Sequence, residues 1–205
     1  MREADSSWLR GRPADALAAP PLVLRRFRPA HAAALTRAVN DSLEHLRPWM
    51  AWARTPVTTE QEQTRLGDAE ARFDAGSEFA FLVFSPNEEV VGACGLHARR
   101  GPGALEIGYW VHVSHTGKGY ATGAAGRLVQ EAFSLPEVQR LEIRCDETNV
   151  ASAAVPPRLG FRLARVEDRK PRTPAETQRE MVWLLHRQQF ERTSSTRPDT
   201  RPELA

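Results

Sequence analysis

The sequence predicts a mixed α+β domain, and three observations carry that expectation. Segments with apolar residues at helical spacing, residues 59–75 and 120–133 above all, are interspersed with short β-like runs. Three of those runs, Glu78–Phe84, Val90–His97 and residues 105–113, follow one another across the turn-forming stretches 85–89 and 99–103, as in an antiparallel meander. A length of 205 residues with 41% hydrophobic and 26% charged side chains suits one domain with a real core.

Taken in order, residues 1–20 are rich in Ala, Pro and Arg, with Trp8 and Leu9 their only bulky apolar pair, and are expected to be a flexible arm. Leu22-Val23-Leu24 starts a first strand that Pro29 ends. Residues 31–39 place Ala34, Leu35, Ala38 and Val39 at helical spacing, and a short helical piece at 41–46 leads into Arg47-Pro48-Trp49-Met50-Ala51-Trp52. The two tryptophans there suit either a hydrophobic plug or the aromatic wall of a small-molecule pocket. In the 59–75 helix, Thr59 and Glu62 have capping-box spacing, Leu66, Ala69 and Phe73 mark the buried stripe, and Gly76 is the stop. Beyond the meander, the 120–133 helix buries Ala125, Leu128, Val129, Ala132 and Phe133. Leu141, Ile143 and Cys145 then alternate with Glu142 and Arg144, the period of a strand with one covered face. Strands at 162–167 and 180–185 flank a charged loop, and residues 191–205 read as a disordered C-terminal tail, so the domain proper is expected to span 21–190.

The most informative stretch is IGYWVHVSHTGKGYA, residues 107–121, where an apolar strand meets a glycine turn that opens onto a helix. Glycine lets backbone approach a ligand closely, and a helix N-terminus offers unpaired N–H groups and the positive end of its dipole. With Lys118 beside them, Gly117 and Gly119 fit a pyrophosphate cradle. A P-loop is excluded, because the position after Lys118 holds Gly119 in place of Ser or Thr, and the required upstream glycine is His112. A dinucleotide fingerprint fails only at Thr122, but too little chain follows for its further βα units. A plain glycine turn between strand and helix remains the alternative.

Composition narrows the partners. A net charge of +2 gives no general argument for nucleic acid, no apolar run reaches membrane-spanning length, and no signal-peptide core is present. Cys94 and Cys145, each inside a strand, read as small buried hydrophobes, with no disulfide framework and no metal site. These features lead to the expectation of a cytoplasmic protein that binds neither nucleic acid nor membrane.

Three motifs together carry a resemblance that covers roughly residues 22–190. The first is IGYWV running into TGKGYAT; the second is Asn149-x-x-Ser152 followed by Leu159-Gly160-Phe161; the third is His45-Leu46-Arg47-Pro48-Trp49-Met50-Ala51-Trp52. In this order the chain resembles the GNAT acyltransferases, and within them the RimJ/RimL-like branch of ribosomal-protein N-terminal acetyltransferases. The resemblance implies a GNAT fold, with a mostly antiparallel central sheet of about seven strands splayed between the fourth and fifth. It implies acetyl-CoA as co-substrate, no metal, an amine acceptor (a peptide N-terminus or a small molecule), and a possible homodimer; the alternatives are a transferase using succinyl-CoA or another acyl-CoA on a small molecule or antibiotic, and a non-catalytic acyl-CoA-binding sensor. By the same likeness, the backbone of Trp110, Val111 and Val113 would pair with the pantetheine arm, and Gly117, Lys118, Gly119, Tyr120, Ala121 and Thr122 would hold the pyrophosphate. Asn149 would bind the pantetheine region, Ser152 would sit near the sulfur, and Trp49 and Trp52 would wall the acceptor side.

Two departures from the family pattern are visible: Thr116 replaces a Gln or Arg, and Pro156 stands where many members carry a tyrosine that protonates the leaving thiolate. The resemblance to the RimJ/RimL branch moves that task to Ser152. Pro156-Pro157 also fits only the first turn of a helix, so that helix is expected to start late. Glu106, on the strand beside the slot, is the first candidate for general base, with Glu167 and Asp168 behind it. Neither cysteine has an activating partner in the sequence pattern, so direct attack in a ternary complex is expected.

Overall fold

The computed structural model describes residues 7–195. Its centre is one twisted sheet of eight strands. In chain order these are β1 (Ala16–Ala19), β2 (Leu22–Arg26), β3 (Glu78–Phe84), β4 (Val90–His97), β5 (Ala104–Val111), β6 (Arg140–Asp146), β7 (Arg162–Asp168) and β8 (Arg179–His186). They lie side by side as β1-β2-β3-β4-β5-β6-β8-β7. Every neighbouring pair is antiparallel except β5 and β6. The helices are α1 (Ala32–Asp41), α2 (Leu43–Leu46), α3 (Thr59–Asp74), α4 (Tyr120–Ser134), α5 (Val150–Ala153), α6 (Val155–Arg158) and α7 (Arg187–Ser195).

The sheet has one strand more than the sequence suggested, and the extra one comes from the expected loose arm. Leu17 and Ala19 alternate inward, and Leu17 is 1% exposed. A four-residue run with only one large apolar residue gives almost no period-two signal, so its strand character comes from the backbone ladder to β2. Trp8 and Leu9 also pack against the core. The part of the expected tail that is described, residues 191–195, continues α7, whose Phe190 ring lies 4.9 Å from Phe133. Residues 1–6 and 196–205 lie outside the described region.

Period-two alternation sorts the strands between two packing faces. Leu24, Phe79, Phe81, Leu96, Leu105, Ile107, Leu141 and Ile143 meet α4 through Ala125, Leu128 and Ala132. Leu82, Ala80, Phe84 and Ala93 face α1 and α3 through Leu35, Val39, Leu66 and Ala69. From β5 to β8 this second face carries charges instead, where Glu106, Glu142 and Glu180 are buried beneath arginines. The α3 helix begins one residue earlier in its capping than the sequence suggested: Thr58 accepts from the Gln61 N–H, and the Gln61 side chain accepts from the Thr58 N–H.

Candidate functional site

The site begins where β5 and β6 part. Their parallel pairing runs from Ala104↔Arg140 to Ile107↔Ile143 and stops. Beyond it, Gly108–Val111 of β5 and Arg144–Asp146 of β6 continue as strands without pairing to each other. This is the splay expected between the fourth and fifth sequence-predicted strands. Strand backbone left without a neighbour exposes N–H and C=O groups that another extended chain can pair with. On the α4 side, a shallow groove with almost no enclosed volume is lined by Val91, Gly92, Tyr109, Trp110, Val111, Tyr120, Ala121 and Ala124, among others.

The chain then leaves the sheet sooner than expected. Val113 is not on the strand; it opens a 3₁₀ turn, Val113–His115. Its N–H donates to Ser42 Oγ at 3.1 Å, and its carbonyl accepts from Thr116 Oγ1 at 3.1 Å. The expected pairing of the Val113 backbone with a ligand is therefore corrected: its N–H is already committed, and the free edge ends at Val111. The Thr116 hydroxyl turns back into the same turn, where the Val113 carbonyl accepts it.

Gly117 and Gly119 have φ of 74° and 78°, the left-handed region that other residues reach only under strain. Gly119 is the N-cap of α4, and no side chain caps this helix. The first i→i−4 bond runs from the Gly123 N–H to Gly119 O, so the N–H groups of Tyr120, Ala121 and Thr122 have no intrahelical acceptor. Lys118 Nζ lies 3.4 Å from His115 Nδ1, and the His115 ring stacks on Tyr120 at 19°. Partial burial, with Lys118 and His112 nearby, lowers the His115 pKa and favours its neutral ring. Amides, a cation and exposed glycines thus meet at the mouth of the slot, a donor set that suits a pyrophosphate.

Across the slot, Asn149 caps α5 by accepting the Ser152 N–H on Oδ1 at 3.1 Å. The doubled proline gives two short helices in place of one late-starting helix: α5 begins directly after Asn149, and α6 carries Pro156 and Pro157 in its first turn. Ser152 is half-buried, and its Oγ is 3.3 Å from the Tyr109 hydroxyl. That hydroxyl also donates to Ser152 O at 3.1 Å. Sequence reasoning did not single out Tyr109 for a role, yet its signal was available: it lies in the IGYW motif, two residues past Ile107, on the same face.

Glu106 does not fit the role of base. It lies in the paired part of the sheet, opposite His97 and Glu142, below the point of splay. Both Arg99 and Arg100 pair with its carboxylate. Burial alone would push its pKa up, but the Arg99 hydrogen bond and the charges of Arg99, Arg100 and His97 hold it down at about 2. Glu167 is bound by Arg144 and Arg165, and Asp168, 86% exposed, faces Arg179. Cys94 and Cys145 are buried free thiols; burial pushes both pKa values up, that of Cys145 to about 11, so neither is an activated nucleophile.

On the acceptor side, Trp52 is 47% exposed and meets Trp110 edge-on at 6.1 Å, under the Arg65 guanidinium. Trp110 also packs on Leu43, Leu46 and Ala53, so the aromatic segment reaches the slot through it. Trp49 is half-buried in the preceding turn. Among the described residues, no cluster of His, Cys, Asp or Glu is arranged to hold a metal ion, and no helix is long and apolar enough to cross a membrane.

A family profile described as an Acetyltransferase (GNAT) domain matches residues 21–162, more than half of the chain. The chain belongs to the GNAT acetyltransferase family. It is 28% identical over 143 residues to the "Putative ribosomal N-acetyltransferase YdaF" of Bacillus subtilis (strain 168), covering 68% of this chain and 77% of that one. It is 36% identical over 87 residues to "Uncharacterized N-acetyltransferase YjdG" of the same organism, over 42% of this chain and 52% of that one. Among solved structures, the ribosomal-protein alpha-N-acetyltransferase RimL in complex with coenzyme A superposes with a TM-score of 0.74 at 22% identity, over 80% of this chain and 93% of the other. The microcin self-immunity acetyltransferase MccE, in complex with acetyl-CoA and AMP, gives 0.75 at 19% identity, over 80% and 92%. At these identities the two structures show the GNAT fold. The splay and the glycine mouth of this GNAT acyl-CoA N-acyltransferase lie within the matched residues.

Proposed function

We propose that this enzyme transfers acetyl from acetyl-CoA to a primary amine, a protein α-amine before a small one, by direct attack in a ternary complex. The observation that carries the reading is the uncapped start of α4, with two left-handed glycines and Lys118, at the mouth of an unpaired strand edge. The pyrophosphate sits on the amides of Gly117 to Thr122, the pantetheine arm pairs with Gly108 to Val111, and the Asn149 amide and Ser152 flank the sulfur end. Trp49, Trp52 and Trp110 wall the amine side. The names of the YdaF relative and of the RimL neighbour support a ribosomal-protein or other peptide acceptor. Two buried, free cysteines suit a reducing compartment and support a cytoplasmic setting.

The electrostatics favour an α-amine. Glu106, Glu142, Glu167 and Glu180 are all bound by arginines, so none is poised as a base. A nucleophile that is already partly neutral near pH 7 needs little help, and an α-amine has a pKa of ~7.7–8.0 against ~10.4 for lysine. The test is release of CoA thiol from acetyl-CoA with a panel of N-terminal peptides, polyamines and aminoglycosides. Release with peptides whose only amine is the α-amine supports the reading. Tight CoA binding without release on any acceptor would contradict it and favour an acyl-CoA sensor.

A further inference from the structure

We infer that Tyr109 is a positioning residue for thiolate departure, acting through Ser152; this rests on the transfer reading above. The tyrosine absent at position 156 is matched by a phenol from the opposite wall. Tyr109 stands on β5 two residues beyond Ile107, the last residue of that strand paired to β6, and Ser152 stands on α5, which follows β6. Their contact therefore spans the mouth of the splay.

The geometry defines a two-position switch of one hydrogen. The Tyr109 hydroxyl has Ser152 O at 3.1 Å and Ser152 Oγ at 3.3 Å, and a phenol carries one proton. In the resting state it donates to the carbonyl oxygen, and the Ser152 hydroxyl is free to donate to it. During transfer, the amine nitrogen forms the C–N bond, the C–S bond breaks and its electron pair stays on sulfur. The proton on nitrogen passes to solvent water, and the sulfur leaves as a thiolate that is held by a hydrogen bond from Ser152 and then takes a proton from solvent. As negative charge grows on sulfur, the Ser152 hydroxyl turns to donate to it, and the Tyr109 O–H, which keeps its proton, redirects its hydrogen bond from Ser152 O to Ser152 Oγ. That second bond polarises the serine O–H and fixes its direction, which a lone serine cannot do for itself. Burial raises the Tyr109 pKa, so the phenol stays protonated and remains a donor at every pH the enzyme meets.

A phenol that merely fills space would leave the reaction unchanged when its oxygen is removed, whereas one that acts through Ser152 would not. The experiment is steady-state thiol release by wild type, Tyr109→Phe, Ser152→Ala and the double variant, on the best peptide acceptor, with calorimetric CoA affinity and melting temperature for each. The expected result is a kcat about tenfold lower for Tyr109→Phe, with KM for acetyl-CoA and the melting temperature unchanged. Ser152→Ala is expected to lose about a hundredfold, and the double variant no more than Ser152→Ala alone. A full kcat in Tyr109→Phe, or losses that multiply in the double variant, would overturn the relay while leaving the transfer reading intact. Absence of CoA affinity in the wild type would overturn both.

Discussion

Two long helices of this protein start in opposite ways. At α3, Thr58 and Gln61 exchange side-chain and backbone hydrogen bonds, so two of the N–H groups at that terminus are satisfied within the fold. At α4, the N-cap is a left-handed glycine with no side chain to offer, and the first-turn amides point out at the mouth of the splay. At φ 78° a serine or aspartate in place of Gly119 would be strained, so this start carries no capping side chain. The difference teaches that a polar group satisfied internally serves stability, whereas one left open beside a cleft is kept for a ligand. Glu106, held by two arginines, belongs with the internally satisfied groups.

The largest effect is expected at the open terminus. Gly119→Val forces a β-branched residue into φ near 78° and displaces the first-turn amides, and it should weaken CoA binding about a hundredfold, the ~3 kcal/mol of a strained backbone converted to affinity. Calorimetric titration with CoA reads this, and near-normal affinity would break the comparison at its open end. Glu106→Gln should behave in the opposite way. Its carboxyl is depressed from 4.5 to about 2, so the ionised form stabilises the fold in full above about pH 4.5, and that contribution is lost as pH falls towards 2. The variant should lose roughly 3 kcal/mol at pH 7, show a flatter loss of stability between pH 4.5 and 2, and keep its kcat. Denaturant melts across that range check the slope, and a collapse of kcat in a folded variant would return Glu106 to the chemistry.

Smaller effects sharpen the contrast. Lys118→Ala should weaken CoA binding about tenfold and reduce its salt dependence, because one exposed cation then no longer meets the phosphates. Titration at low and high salt tests this. Thr58→Ala should cost about 1 kcal/mol of stability with no change in CoA affinity, since its cap satisfies only α3. A change in affinity there would mean that the two helix starts are coupled.

Much of this was legible in the sequence because it is written in local chemistry. Gly117 and Gly119 do take left-handed backbone angles, and the strand-to-helix switch lies where the sequence put it. The meander and the helix faces followed from period, and the splay was implied by the resemblance that the motifs carry. What escaped depended on long-range partners. Ala16–Ala19 is a strand only because β2 lies beside it, and Val113 leaves the sheet because Ser42, 71 residues away in sequence, takes its N–H. Glu106 read as a base because its sequence position gives no sign that Arg99 and Arg100 fold back over it. Tyr109 was visible as a letter of a motif, but its contact with Ser152, 43 residues on, exists only once the two walls of the slot are in place.

The central claim is that the bare start of α4 grips the coenzyme. Calorimetric titration of CoA into the wild type and into the Gly117→Val/Gly119→Val variant, with melting curves to show that both are folded, tests it most directly. The account predicts saturable binding to the wild type and none to the folded variant at the same concentrations. Equal affinity in both, or no binding to the wild type, would contradict it.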